Sequence, residues 1–523
     1  MDQASSKTRF NLAAGWTSPE LHGDEKRTFT ISLVLYALVL FPLLIADRYN
    51  VDDWGRSVRG YLNWRKDGRP LTDLIIRVLD LGNPLLDFSP ICQIGAIVCL
   101  SWLSAVIARK FQIRRPFIAA LAALPLGANP FFLANLSFKF DSLPMALSIS
   151  LALIPIVLDD APDRNNRRSL IIGALLLLGS LCTYQPSLNA FLVFAVFEYL
   201  LLQRSNESSA LLTSLLIRRI LQLSIAVLVY KIVALHTVHG GYGIDHSSLV
   251  SGFSGLAMVQ RNLVAFWSFP IKMLTGALRF TLLLPLSLGL LASIAVGLRY
   301  SGRPGRRVKV IWISSAFLAP ILVLFAVFGF LIFLQSPTGG ARTFIGFGAL
   351  LACSLILISS ILTEYNVAGR LQCALLFIPA YTMITFAAIY ANATKVQKDY
   401  EKHIAEKLSD DLKEVMATKS VSALIIEGSV GSAPLVIRMV EDRYVVLGHL
   451  VSVDLHSDET GGFAHTVLRY LGINLPSEPS KARRSSIVAG IANATPLRIN
   501  SYYEIFFLDD DLVVRLIPST GRI

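Results

Sequence analysis

Charged residues are scarce in this chain. They make up 16% of its 523 residues, where a soluble domain carries about 25%. A disordered chain, which needs high charge and few apolar groups, is thereby excluded. Cysteine is scarce too. Cys92, Cys99, Cys182, Cys353 and Cys373 are the whole complement, all in or beside apolar runs. With no metal-ligand spacing among them, they read as small buried hydrophobes rather than a disulfide framework or a zinc site. The sequence has no Walker loop, no G-x-S-x-G elbow and no dinucleotide fingerprint, which removes the common nucleotide-binding and hydrolase motifs. It also has no internal repeat and no low-complexity tract.

What the chain has in abundance is apolar. Hydrophobic residues are 54% of it, and the mean hydropathy is +0.57. A membrane-spanning helix needs roughly 20 mostly apolar residues. Runs that answer to this are Thr28–Ala46, Pro90–Ala108, Phe117–Leu133, Leu143–Leu158, Ser169–Thr183, Phe191–Leu202, Ile220–Leu235, Phe280–Leu298, Val310–Leu334, Thr343–Leu362 and Leu371–Tyr390. The expectation is a polytopic α-helical membrane protein of about eleven spans. The first run is too long for a signal peptide and no small-residue cleavage site follows it.

Lys and Arg together number 48 against 36 Asp and Glu. The excess gathers in alternate connections: Arg109, Lys110, Arg114 and Arg115; then Arg164, Arg167 and Arg168; then Arg204, Arg218 and Arg219; then Arg299, Arg303, Arg306, Arg307 and Lys309. The connections between these hold little beyond Lys139 and Arg342. The positive-inside rule therefore puts residues 1–27 in the cytoplasm and, with eleven spans, the C-terminus outside. Loop charge accounts for the basic balance, so no nucleic-acid partner is expected.

Residues 47–89 break the pattern, being external yet rich in Arg and Lys. Within them Leu71, Leu74, Ile75, Val78 and Leu79 recur at helical spacing, the mark of an amphipathic helix on the bilayer surface. A second external segment, His236–Arg279, starts with His239-Gly240-Gly241-Tyr242-Gly243 and ends in Phe266, Trp267 and Phe269. After Tyr390 the chain turns charged. Strand signals at Ala423–Ile426, Tyr502–Leu508 and Leu512–Ile517, with a helix at Phe463–Leu471, predict a small α/β domain over 391–523, beside a transmembrane domain over 28–390.

The sharpest chemical constellation is Asp52-Asp53-Trp54-Gly55-Arg56, just past the first span. On a helix, Asp53 and Arg56 (i, i+3) or Asp52 and Arg56 (i, i+4) share a face. A carboxylate beside a guanidinium suits group transfer: one takes a proton from an attacking hydroxyl, the other neutralises a departing phosphate. Either acid can be the base on this reading; the i+3 relation to Arg56 favours Asp53. The bland counterpart is a solvated helix cap with a surface ion pair.

The second constellation is Asn129–Ser142, where Lys139 and Asp141 stand between Phe138 and Phe140. Ionisable groups at lipid depth are functional by default, although Lys139 and Asp141 could satisfy one another. Arg56, Lys139 and Arg342 are expected to converge on one external cavity as ligands of a phosphate, with Lys231 a fourth. Trp54, Arg69, Asp141 and Tyr242 are the candidates for binding substrate. His236, His239, Asp245 and His246 are scattered, without the spacing of a metal site. Asp509–Asp511 reads as a solvated hairpin turn, and Glu198 as an interfacial acid.

Tyr49-Asn50-Val51-Asp52-Asp53-Trp54-Gly55-Arg56, Gly60-Tyr61, Trp64, Gly68-Arg69-Pro70-Leu71 and Asp87-Phe88-Ser89-Pro90 resemble the opening of the type II Gtr glucosyltransferases, the serotype-converting enzymes that modify O-antigen. Asn129-Pro130, Phe132 and Asn135–Met145 resemble that family's second landmark. The likeness is clearest over 45–190 and does not extend to the C-terminal domain. It implies a GT-C-like membrane enzyme of the bacterial inner membrane, with its C-terminal domain in the periplasm. The implied reaction moves glucose from undecaprenyl-phosphate glucose to lipopolysaccharide O-antigen, with inversion at the anomeric carbon. It further implies a catalytic acid in the first external loop, by position Asp52 or Asp53, and dependence on a synthase and a flippase that provide the donor. No nucleotide cofactor is required, nor a metal where Arg56, Lys139 or Arg342 neutralises the phosphate. The rivals are a polyprenyl-sugar flippase or transporter, which predicts paired repeats and broken helices, and a membrane acyltransferase, which wants a catalytic His near the membrane.

Overall fold

The computed structural model describes residues 18–158, 167–204, 209–238, 248–300, 317–457, 462–473 and 479–519. Seven helices in it are long and apolar enough to cross a membrane: Asp24–Ala46, Ile91–Lys110, Gln185–Leu202, Ala210–Val233, Gly276–Ala295, Ile345–Glu364 and Gly369–Thr418. Three shorter apolar helices accompany them, Pro116–Ala128, Ser142–Val157 and Phe317–Ala326, and Arg167–Thr183 forms a further helix. The expected runs Phe117–Leu133 and Leu143–Leu158 thus coincide with shorter helices than a full crossing asks, and the described part of Val310–Leu334 contains the helix Phe317–Ala326. One reason is visible at Pro125, which opens a new helical turn inside the first of them. The segment His236–Arg279, expected as an external connection, contains a helix of 22 residues, Gly252–Met273.

The first helix, α1 (Asp24–Ala46), is apolar on both sides. Tyr36, Val39, Leu40 and Leu43 are buried against the bundle, while Val34, Leu38, Phe41 and Ile45 form an exposed stripe at helical spacing. A stripe of this kind needs an apolar surrounding, and a bilayer provides one. Glu198, read as an interfacial acid, is buried among side chains: Arg219 reaches it through Nε and Nη2, each at 3.0 Å, and Lys110 Nζ lies 3.6 Å away.

After α1 the chain turns through left-handed Asp47 and Val51 (φ 43° and 47°) into α2 (Asp52–Arg59). Gly60 ends α2 at φ 66°, where a Cβ would come within 2.5 Å of Pro84; only glycine fits this turn. Next comes α3 (Pro70–Asp80). Its Ile76 is fully buried, while Leu74 and Val78 are 54% and 62% exposed. This is the amphipathic helix expected of the loop, with its apolar stripe facing outward. The chain then re-enters the bundle as α4 (Ile91–Lys110), which packs on α1 and on Ser142–Val157.

Gly369–Thr418 is one helix of 50 residues. It runs without interruption past Tyr390, so the expected boundary at 391 falls inside a continuous element. No Gly or Pro occurs between Ala380 and Thr418 to break it. Its charged half packs against a four-stranded sheet built from β1 (Ala423–Gly428), β2 (Arg498–Ile499), β3 (Tyr503–Leu508) and β4 (Asp511–Leu516). The strand order is β1-β4-β3-β2, with β1 parallel to β4 and the other pairs antiparallel. Ile404, Leu408 and Leu412 of the long helix cover one face, and Ile487 and Ile491 the other. The β3–β4 hairpin turns at Asp509 and Asp510, both with positive φ (48° and 64°), a conformation Asp tolerates better than most residues.

Candidate active site

The Asp52–Arg56 motif lies in α2 and stands past the C-terminal end of α1, between the bundle and the sheet-bearing unit. Arg56 is its centre. The side chain is buried, 5% exposed, yet remains charged because carboxylates surround it. Nη1 donates to Asp141 Oδ2 at 2.9 Å and lies 3.8 Å from Asp52 Oδ2. The guanidinium also covers the Trp64 ring at 4.1 Å, and Trp64 Nε1 donates to Asp141 Oδ1 at 2.8 Å. Burial works against the Arg56 charge, but Asp141 and then Asp52 more than offset it and hold its pKa above the ordinary value.

Two further guanidiniums close on this centre. Arg342 Nη1 lies 3.8 Å from Asp52 Oδ2, with its guanidinium over Phe138. Arg69 Nη1 lies 3.7 Å from Asp141 Oδ1 and stacks over Tyr184, while its Nε donates to Gln185 Oε1 at 3.3 Å. Tyr184 in turn donates its hydroxyl to the Arg342 carbonyl at 2.9 Å. Three guanidiniums therefore meet the side chains of Asp52 and Asp141. The Asp52 side chain is 44% exposed and open to a ligand.

Asp53 has a different environment. It is wholly buried. Oδ2 accepts the backbone N–H groups of Asn50 (3.2 Å) and Lys139 (3.0 Å), and Oδ1 has no hydrogen-bond partner among the described residues. Burial, reinforced by the Asp141 charge, pushes its pKa up to about 8 against the pull of the Lys139 amide and Arg56. Asp53 and Arg56 both lie on the buried side of α2, but the direct pairing expected between them is not made. The helix brings Asp52 to Arg56 at i, i+4, and Asp53 ties the α2 backbone to the Asn129–Ser142 segment.

The convergence expected of Arg56, Lys139 and Arg342 holds for Arg56 and Arg342 and fails for Lys139. Lys139 Nζ instead meets Asp47 Oδ1 at 2.7 Å and Asp87 Oδ2 at 3.2 Å, above the Tyr49 ring. Those two acids lie nearer to it and neutralise it there. It does not pair with Asp141, which belongs to Arg56. Lys231 is exposed on its helix; its neighbour Tyr230 is the residue that turns inward, donating to the Gly68 carbonyl at 3.0 Å. Trp54 points away from the three guanidiniums, giving its Nε1 to Asp454 Oδ2 at 2.9 Å and packing on Tyr49 and Tyr470. Tyr242, His239, Asp245 and His246 lie outside the described residues. Asp511 of the acidic hairpin is bound to Arg483 Nε at 2.9 Å. Among the described residues no three His, Cys, Asp or Glu side chains gather as a metal site would require.

Sequence reasoning missed Trp64, Tyr184 and Gln185 as parts of the site, and Arg48, Glu401 and Asp454 beside it. Trp64 belongs to the motif that carries the family resemblance, whereas Tyr184 and Gln185 stand in the short connection between two apolar runs. Nothing in the sequence joins Asp454 to Trp54, 400 positions away.

These features define a class: a polytopic helical membrane protein with an acid–guanidinium site at the end of its first apolar helix. The particular family follows from comparison. The family model described as glucosyl transferase GtrII matches residues 41–353, and the chain belongs to that family. By family it is a glycosyltransferase. It is also 26% identical over 395 residues to the "Uncharacterized 55.3 kDa protein in gtrB 5'region" of Salmonella phage P22, covering 75% of this chain and 80% of the relative. No solved structure matches.

Proposed function

We propose that this protein, in a bacterial inner membrane, moves a glucosyl group from undecaprenyl-phosphate glucose to a hydroxyl of a lipopolysaccharide O-antigen on the periplasmic side. The observation that carries this reading is the half-exposed Asp52 carboxylate, 3.8 Å from Arg56 Nη1 and 3.8 Å from Arg342 Nη1. Both separations exceed a hydrogen bond, so neither guanidinium is locked to Asp52 and an entering phosphate can compete for them. Asp52 accepts the proton of the acceptor hydroxyl. Its oxygen attacks the anomeric carbon as the bond from that carbon to the phosphate oxygen breaks, with inversion. Charge growing on the leaving phosphate falls to Arg56 and Arg342, with Arg69 behind them. The sugar arrives activated on its lipid, so the step joins the donor and the acceptor hydroxyl and needs no nucleotide. A synthase and a flippase deliver the donor.

The direct test is the O-antigen of cells with and without the protein. Glucose appearing on the repeat unit only when both protein and donor synthase are present is the expected result. Unchanged O-antigen alongside transbilayer movement of the lipid-linked sugar would replace the transferase reading with a flippase.

A further inference from the structure

The family match ends at residue 353, and sequence motifs give the chain beyond it no task. Yet this later part grips the segment leading into α2. Lys398 Nζ donates to the carbonyls of Ala46 (3.2 Å) and Asp47 (2.5 Å) at the end of α1. Arg48 Nη2 donates to Glu401 Oε2 at 2.8 Å, Asp454 Oδ2 at 2.7 Å and the Ser452 carbonyl at 2.8 Å, and its Nε reaches Asp454 Oδ2 at 3.2 Å. Ser452 Oγ donates to Asn50 Oδ1 at 3.4 Å. Trp54 Nε1 donates to Asp454 Oδ2 at 2.9 Å.

One oxygen of Asp454 thus collects N–H groups from residues on both sides of Asp52 and Asp53. The Asp454 carboxylate is itself held. Oδ1 accepts Ser452 Oγ at 3.0 Å, and its own backbone N–H donates to Glu401 Oε1 at 2.7 Å on the 50-residue helix. Its side chain is 2% exposed, so water does not compete for these bonds.

The segment needs such a hold. α2 has eight residues and no side-chain cap at its start, far below the length at which an isolated helix persists. It begins from Val51 at φ 47°, an unfavourable conformation for a β-branched residue. The position of Asp52 against Arg342, which belongs to a distant part of the chain, must therefore be imposed from outside α2.

We propose that Asp454 is a positioning residue for the transfer: it clamps Arg48 and Trp54 so that α2 presents Asp52 to Arg56 and Arg342, and the C-terminal unit is thereby part of the catalytic apparatus. The activity readout rests on the glucosyl-transfer reading above; the exchange readout does not.

The experiment uses the full chain in membranes or detergent, as wild type, Asp454→Ala, Asp454→Asn, Trp54→Phe and the Trp54→Phe/Asp454→Ala double variant. Glucosyl transfer is measured per folded molecule, and backbone hydrogen exchange is followed over residues 46–59. Misplacement by about 1 Å costs about 10²-fold in rate, so Asp454→Ala should lower kcat by about that factor while donor KM stays within about twofold. Trp54→Phe keeps the ring and loses the N–H, and should fall by about tenfold. The double variant should be no slower than Asp454→Ala, because both act through one contact. Asp454→Asn keeps an acceptor for Trp54 and should recover part of the rate. Exchange over 46–59 should quicken in Asp454→Ala. Unchanged exchange overturns the clamp. Faster exchange with an unchanged kcat overturns the positioning role. Wild type that transfers no glucose removes the transferase reading while exchange still decides the clamp. Should Asp454→Ala fail to fold, Trp54→Phe decides by the same two measurements.

Discussion

At the scale of single residues, two adjacent acids have been given opposite circumstances. Asp52 is open and faces guanidiniums; Asp53 is buried against backbone amides. If Asp52 is the base, Asp52→Asn removes the proton acceptor without changing shape, and transfer in cells making equal protein should fall by about 10²–10⁴-fold. Asp53→Asn should retain far more activity; the reverse order would return the base role to Asp53. The two acids also differ in their effect on stability. The Asp53 carboxyl has an ordinary pKa of 3.8 and one of about 8 when folded. The folded chain therefore binds a proton that the unfolded chain releases, and the stability this gives is complete below about pH 4 and lost as pH rises towards 8. Asn cannot ionise. In detergent, the melting temperature of Asp53→Asn should gain on wild type between pH 5 and pH 8.5, and a constant difference would show that Asp53 is not protonated in the fold. Arg56→Lys keeps the charge but loses the planar fork that meets Asp141 while covering Trp64. It should cost at least tenfold in kcat/KM, read from donor titrations.

At the scale of elements, two helices determine how the site is mounted. α3 exposes Leu74 and Val78 while burying Ile76, so its outer stripe belongs in the acyl–headgroup boundary. A cysteine at Val78 carrying an environment-sensitive dye should be quenched by lipid-phase nitroxides, and one at exposed Arg77 much less. Equal quenching would detach α3 from the bilayer. The 50-residue helix joins bundle and sheet as a rigid strut. Ala391→Pro, at a buried position midway along it, removes a backbone hydrogen bond and costs roughly 3 kcal/mol or more. It should loosen the C-terminal unit, visible as faster proteolysis after Thr418 in otherwise membrane-inserted protein.

At the scale of the whole molecule, the site is assembled from segments remote in sequence: residues 47–89, Asn129–Ser142, the turn at Tyr184–Gln185, the loop bearing Arg342 and the sheet-bearing unit. The alternation of arginine-rich and arginine-poor connections makes a cytoplasmic N-terminus and an external C-terminus the expected topology. A reporter active only in the periplasm, fused after Ile523, should be active; a cytoplasm-only reporter working there would reverse the parity of the spans.

The sequence by itself determined the solvent of this protein and the location of its chemistry. Scarce charge and long apolar runs demand a bilayer, and a bilayer forces the backbone to satisfy itself as helices. Asp52, Asp53 and Arg56 were legible because acids and a cation crowded at the end of an apolar run are costly without a purpose. The β3–β4 hairpin was legible because strand and turn chemistry are local. Pairing was not legible. Whether Arg56 takes Asp52 or Asp53 depends on where an eight-residue helix begins, and whether Lys139 takes Asp141 or Asp47 depends on which carboxylate lies nearer after packing. The tie from Asp454 to Arg48 and Trp54 spans some 400 positions and leaves no periodic or compositional trace. Those choices are energies of close approach between side chains, and only the tertiary structure brings the side chains close enough to make them.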